Sequence, residues 1–272
     1  MNIKEVKNTL KDYSVVPAKS LGQNFLIDKG ALSSIIEVAE LKKSDTVVEI
    51  GPGTGVLTKE LLEKAKKVIA FEKDEKMCKL LQASFKEFKN FQIIKGDFLT
   101  STFKFPKNYK VVANIPYYIT SPIIRKFLES RNKPELMILM VQKEVGQRIC
   151  ANPPDMSILS TSVQFYAKAK IIRYVSKGSF WPRPKVDSAI IIITPLINTD
   201  NKQLNTDTFF KIVKTGFSHP RKQLLNNFSK GLNIERVKIE KILEELNISP
   251  QQRAETLSIE KWVELSNNFK KI

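Results

Sequence analysis

The chain of 272 residues is 42% hydrophobic and 27% charged, which supplies enough apolar material for a full core and excludes a disordered chain. Lys and Arg outnumber Asp and Glu by 45 to 28, and the formal net charge of +17 favours a polyanionic partner, nucleic acid first. Two cysteines (Cys78, Cys150) and one histidine (His219) exclude a disulfide framework and offer no metal-ligand spacing, so no metal is expected.

Residues 1–18 read as a polar, irregular N-terminal arm whose charges, Lys4, Glu5, Lys7 and Lys11 among them, leave no apolar signal core. The longest apolar runs, Leu136–Val141 and Ala189–Ile193, fall far short of the roughly 20 residues that a membrane helix needs. A cytoplasmic monomer with reduced thiols and no membrane partner is the expectation. Next comes Lys19-Ser-Leu-Gly-Gln-Asn-Phe-Leu-Ile-Asp28. Asp28 is placed to cap a helix whose Leu32, Ile35, Ile36 and Ala39 share a face. The stretch Gln23–Leu26 is open to two readings, a loop folded over a ligand or a hydrophobic staple for that helix.

From Thr46 onward, strand-like runs (Thr46–Ile50, Lys67–Phe71, Phe91–Lys95, Lys110–Ala113, Leu136–Val141) alternate with helix-like runs (Val56–Lys66, Glu75–Phe88, Pro122–Ser130). That alternation is the signature of a mainly parallel sheet covered on both faces, in which ligands bind at the carboxyl ends of the strands. The first strand runs into Gly51, Gly53 and Gly55 and then a helix, the form of a nucleotide cradle, although a tight strand-to-helix turn has the same spelling. The second ends at Glu72, 21 residues beyond Gly51, where an acid accepts hydrogen bonds from ribose hydroxyls. The third ends at Gly96-Asp97 and the fourth at Asn114-Ile115-Pro116-Tyr117. Further on, Lys168–Ser176 and Ser188–Leu196 read as strands joined by a long proline-rich loop. Beyond residue 200 the pattern is helical (Phe209–Phe217, Lys222–Phe228, Arg236–Leu246, Ile259–Phe269), so residues 19–200 and 201–272 are expected to form two domains that share the basic excess.

The tetrapeptide Asn114–Tyr117 resembles the N-P-P-Y-type motif of S-adenosylmethionine-dependent enzymes that methylate exocyclic amines of nucleobases. The amino nitrogen of adenine is a poor nucleophile because its lone pair is delocalised into the ring. The Asn114 side-chain oxygen and the Ile115 carbonyl can each accept one of its N–H bonds, which favours sp³ geometry and aims the lone pair at a methyl donor. Pro116 fixes the turn and Tyr117 offers a stacking face. A base inside a duplex cannot reach such a pocket, so the target is flipped or unpaired, and Phe180 is the candidate for the second face of a sandwich. Trp181 is left open between packing and RNA contact.

Taken in order, Leu21–Asp28, Glu49–Gly55, Glu72-Lys-Asp74, Gly96-Asp97, Asn114–Tyr117, Gln142-Lys-Glu144, Phe180-x-Pro-x-Pro-Lys-Val-Asp-Ser188 and Arg253–Ser258 resemble the KsgA-type small-subunit rRNA adenine dimethyltransferases over residues 18–265. The resemblance implies a Rossmann-like class I methyltransferase, α/β with a seven-stranded mainly parallel sheet, and a small all-helical C-terminal domain. It implies dimethylation of two adjacent adenosines in a hairpin near the 3′ end of small-subunit rRNA within an assembling ribosomal subunit. By motif, Asn24, Leu26, Gly51, Gly53, Glu72, Asp97 and Asn114 would bind S-adenosylmethionine, with Glu72 on the ribose hydroxyls and Asp97 on the adenine amino group. Asn114, Ile115, Pro116, Tyr117 and Phe180 would serve the target base. Arg221 and Lys222 read as RNA-phosphate contacts, and His219 as structural. Met156–Ser160 departs from the family pattern and leaves its local turn undefined. Two other readings are the macrolide-resistance family acting on large-subunit rRNA, and a non-catalytic assembly or transcription factor on the same fold.

Overall fold

The computed structural model describes residues 3–18, 22–196 and 205–269. The chain opens with α1 (Ile3–Asp12), β1 (Phe25–Leu26) and α2 (Lys29–Ala39), and then alternates β2 (Thr46–Ile50), α3 (Val56–Lys64), β3 (Lys67–Glu72), α4 (Glu75–Ser84) and β4 (Phe91–Lys95). After β5 (Tyr109–Asn114), α5 (Thr120–Leu128) and β6 (Leu136–Gln142) come α6 (Lys143–Ile149), α7 (Ile158–Gln164), β7 (Ala167–Val175), β8 (Phe180–Trp181) and β9 (Ser188–Pro195). Helices α8 (Thr206–Gly216), α9 (Leu224–Gly231), α10 (Arg236–Glu245) and α11 (Ile259–Phe269) follow.

Seven strands form one sheet in the order β4-β3-β2-β5-β6-β9-β7, and β1 pairs with β8 in a separate ribbon. β2 runs parallel to β3 and β5, β3 to β4, and β5 to β6, while β9 returns antiparallel to β6 with Gln142 opposite Ser188. The chain therefore builds outward from β2 in one direction and then from β5 in the other. The crevice above the β2–β5 boundary is the topological switch point where such sheets bind ligands. The interior strands are apolar on both faces because helices cover both: in β6, Met137 to Val141 are all fully buried.

Residues 3–12 correct the expectation of an irregular arm. Val6 and Leu10, one helical turn apart, bury themselves with Val15 in the core of the sheet unit. The helix is short and, apart from the exposed Ile3, its other positions are charged or polar, so packing of that one face stabilises it. Asp28 caps α2 as expected, accepting from the Ala31 amide at 3.0 Å, and its other oxygen accepts from the Ser179 hydroxyl at 2.6 Å. The undefined turn at Met156–Ser160 is a helix start: the Ser157 and Ser160 side chains cap each other's backbone amides.

The chain divides into two compact units, Met1–Gly146 with Ala169–Pro195, and Gln147–Lys168 with Leu196–Ile272. The expected cut near residue 200 lies outside the described residues, and the helical unit also takes Gln147–Lys168. Its apolar anchors explain why: Phe165 stacks on Phe209 with ring centroids 4.0 Å apart, and Met156 joins the same core. In that unit Trp262 is fully buried and stacks on Phe217, and α8 carries Gly216 where a Cβ would run into the indole.

Candidate active site

The cleft at the switch point is walled by the glycine loop after β2, Glu72 at the end of β3, Asp97 after β4, Asn114–Tyr118 after β5, and Gln23–Leu26. Seven residues expected to hold a cofactor (Asn24, Leu26, Gly51, Gly53, Glu72, Asp97, Asn114) thus share one cavity, because four consecutive parallel strands deliver their ends to the same edge of the sheet.

The glycine loop is left-handed at Gly51 (φ +66°), Gly53 (φ +57°) and Gly55 (φ +80°). Two close approaches reinforce the requirement. A Cβ on Gly53 would meet the Phe25 ring at 3.0 Å, and one on Gly55 would meet Phe85 at 2.6 Å. No side chain caps the start of α3, whose Val56 and Leu57 line the cleft.

The acidic groups differ in state. Glu49 inside β2 is 1% exposed and accepts from the Thr58 hydroxyl at 2.7 Å. Burial pushes its carboxyl up to about 8, against the lowering effect of that bond and with a further push from the Glu72 charge. Glu72, 7% exposed, is also raised by burial, opposed by backbone donors of which the Asp74 amide lies at 2.8 Å. Asp97 is held below the usual carboxylate range by the Leu99 amide at 2.9 Å and the Lys73 ammonium at 3.0 Å.

At the end of β5, the Asn114 Nδ2 donates to the Asn24 carbonyl at 3.2 Å, which leaves Oδ1 directed as an acceptor. The Tyr117 and Ser188 hydroxyls are 2.6 Å apart, fixing the ring against β9, and burial raises the Tyr117 pKa. Tyr118, beside it, is 57% exposed. Both readings of Gln23–Leu26 have a counterpart here. The segment walls the cleft, and Gln23 ties it down by donating to Asp74 at 3.2 Å and accepting from the Ala18 amide at 2.8 Å. Phe25 and Leu26 are buried in the core that also receives α2.

Phe180 is placed beside Leu26 rather than among the residues that line the cleft. It is 3% exposed, lies opposite Leu26 in the β1–β8 ribbon, and belongs to the apolar core rather than to the cleft wall. The ribbon pairing, which spacing could not reveal, turns its ring inward. Its neighbour Trp181 lies opposite Phe25, half-buried against the same core, with the Lys7 ammonium 5.4 Å above its ring. Arg221 and Lys222 are exposed in the α8–α9 turn of the helical unit, which Asn227 pins by donating to the Gly216 and His219 carbonyls. His219 is exposed in the same turn, 3.2 Å from the Ser218 hydroxyl. Sequence reasoning missed Glu49 and Lys73 as cleft residues. For Glu49 the available signal was an acid inside an otherwise apolar strand.

Fold and cleft together define a class I, S-adenosylmethionine-dependent methyltransferase, and the acceptor-rich walls fit that cofactor's hydroxyls and amino groups. The family model for ribosomal RNA adenine dimethylase matches residues 17–271, and the chain belongs to that family. It is 44% identical over 268 residues to ribosomal RNA small subunit methyltransferase A of Dehalococcoides mccartyi, covering 96% of this chain and 91% of the relative. It is 44% identical over 273 residues to the protein of the same name from Clostridium botulinum, covering 98% of each. Among solved structures, a dimethyladenosine transferase from Plasmodium falciparum superposes with a TM-score of 0.81 at 31% identity, covering 91% of this chain and 98% of that one. The 23S rRNA methyltransferase ErmE superposes at 0.75 with 26% identity, covering 91% and 100%. Among the described residues no helix is long and apolar enough to cross a membrane.

Proposed function

We propose that this protein dimethylates the N6 amino groups of two adjacent adenosines in a hairpin near the 3′ end of small-subunit rRNA, acting as a cytoplasmic monomer on an assembling ribosomal subunit. The small-subunit assignment is supported by the names of the 44%-identical relatives. The observation that carries the chemistry is the Asn114 amide at the cleft: with Nδ2 donated to the Asn24 carbonyl, Oδ1 is left as an acceptor one residue from Ile115. Two acceptors on one proline-fixed turn match the two N–H bonds of an exocyclic amine. When bound, S-adenosylmethionine supplies an electrophilic methyl group on a sulfonium sulfur.

The chain's own part is positional and electrostatic. Glu72 takes the cofactor's ribose hydroxyls and Asp97 its adenine amino group, while the backbone at Gly51 and Gly53 and the Asn24–Leu26 segment close around it. Asn114 and Ile115 hold the target amine, and Tyr117 presents its ring to the base. No general base is required, because the lone pair attacks before the amine loses its proton. Arg221 and Lys222 contact RNA phosphates.

Asn114→Ala is expected to retain RNA binding while losing methyl transfer by orders of magnitude, read as incorporation of labelled methyl into 30S-type particles lacking the modification. Near wild-type turnover would sink the role of Asn114. Mass mapping of rRNA from cells lacking the protein should show two adjacent unmethylated adenosines in the small subunit. A missing methyl in the large subunit instead would reassign the substrate.

A further inference from the structure

Lys126 lies on α5 and is not part of the cleft wall, yet its ammonium donates to three backbone carbonyls: Phe98 at 2.8 Å, Leu99 at 2.8 Å and Ser101 at 2.7 Å. An ammonium has three N–H donors, so all of them are committed to the one turn that follows Asp97. The same nitrogen sits 5.1 Å above the Phe98 ring, which in turn packs edge-on to Phe71 at 5.2 Å and against Phe127 at 5.0 Å. Asp97 organises that turn from the other side. Its Oδ1 accepts from the Leu99 amide at 2.9 Å, and its carbonyl accepts from the Ser101 amide at 3.1 Å. Partial burial lowers the Lys126 pKa, with the Asp97 charge opposing. A lysine that gives up water to gather three carbonyls of a single turn fixes the backbone of that turn.

We infer that Lys126 is a positioning residue: it sets the turn that aims Asp97 into the cleft. Because α5 starts at Thr120, directly after the Asn114–Tyr118 segment, Lys126 also ties the turn that presents the target-base acceptors to the turn that reads the cofactor's adenine. The inference rests on the proposed role of Asp97 as acceptor for the adenine amino group. Lys126 itself touches neither the cofactor nor the target base.

The test is a double-mutant cycle on the intact protein, reading the dissociation constant of S-adenosylhomocysteine by calorimetry in wild type, Asp97→Ala, Lys126→Met and the double variant. Asp97→Ala and Lys126→Met should each weaken binding about tenfold, the scale of one lost charge-assisted hydrogen bond, and the double variant should be no weaker than Asp97→Ala alone. Lys126→Arg should recover most of the affinity. An analogue with purine in place of adenine, which lacks the amino group, should bind wild type and Lys126→Met alike. If Asp97→Ala leaves affinity unchanged, the Asp97 reading fails and the Lys126 role falls with it. If Asp97→Ala weakens binding but Lys126→Met does not, or weakens it equally in both backgrounds, the positioning role is overturned while Asp97 keeps its assignment. Should Lys126→Met fail to fold, Lys126→Gln, which keeps a donor pair, carries the same cycle.

Discussion

Glu49 makes the stability of the sheet unit depend on pH in a direction opposite to that of ordinary surface carboxylates. Its carboxyl is 1% exposed, and burial raises its pKa from 4.5 to about 8. In the unfolded chain the group returns to the lower value. Between about pH 4.5 and 8 the folded state therefore holds a proton that the unfolded state has released, and stability falls as pH rises, by about 1.4 kcal/mol per unit. The contribution is fully present below the unfolded value and is lost as pH passes the folded one. Across the whole window the loss is at most about 5 kcal/mol, a large share of a domain's typical stability. Glu72, raised by burial as well, acts in the same sense. Glu49→Gln keeps the shape and can still accept from Thr58, but it does not titrate. Urea unfolding of both proteins at intervals from pH 5 to pH 9 should show the variant gaining on wild type as pH rises, with the gap levelling above about 8. A gap that stays constant with pH would refute a proton held on Glu49.

Three further changes test other parts of the site. Tyr117→Phe removes the 2.6 Å contact with Ser188; it should lower kcat about tenfold, Ser188→Ala should do the same, and the pair together should cost little more, all measured as steady-state methyl transfer. Gly55→Ala places a methyl 2.6 Å from Phe85 at a φ of +80°; it should destabilise the fold by roughly 1–3 kcal/mol, read by denaturant unfolding, whereas an unchanged midpoint would mean that the loop relaxes freely. Phe180→Ala should cost about 3–5 kcal/mol of stability through a core cavity. Full stability combined with lost turnover would return Phe180 to the target base.

Much of this was legible in the sequence because parallel sheets declare themselves. Buried strands such as Leu136–Gln142, and Thr46–Ile50 apart from Thr46 and Glu49, are apolar on both faces, and the residues that follow them must line the same edge. What stayed hidden depended on contacts between distant segments. In Ile3–Asp12 the apolar residues Ile3, Val6 and Leu10 do fall at helical spacing, but the segment is short and polar otherwise, and the burial of Val6 and Leu10 depends on a core built later in the chain. The inward turn of Phe180 depends on a two-residue ribbon with Phe25–Leu26, some 150 residues earlier. Lys126 is one lysine among many in a basic chain, and its three carbonyl partners appear only when α5 is laid beside the turn after β4. The assignment of Gln147–Lys168 to the helical unit likewise follows from Phe165 meeting Phe209, which no composition shift announces.

Charge is segregated in a way that bears on selectivity. The chain as a whole carries +17, as a partner of polyanionic RNA requires, yet the cleft is lined by Glu49, which burial keeps protonated at neutral pH, and by Glu72, Asp97 and Asn114. The ammonium that does line it, Lys73, is paired with Asp97 at 3.0 Å. A glycine loop opening a helix is also the form that binds phosphate, through backbone donors and the helix dipole. Here Glu72 beside that loop disfavours a phosphate and favours hydroxyl, amino and cationic groups. The attraction that brings the RNA to the protein therefore does not extend into the site. A phosphodiester is drawn to a basic chain and disfavoured beside Glu72 and Asp97, whereas an uncharged amino-bearing group meets no such repulsion there. On the proposed reading, in which Asn114 and Ile115 hold the target amine, this electrostatic contrast would favour the base over the phosphate at the cleft.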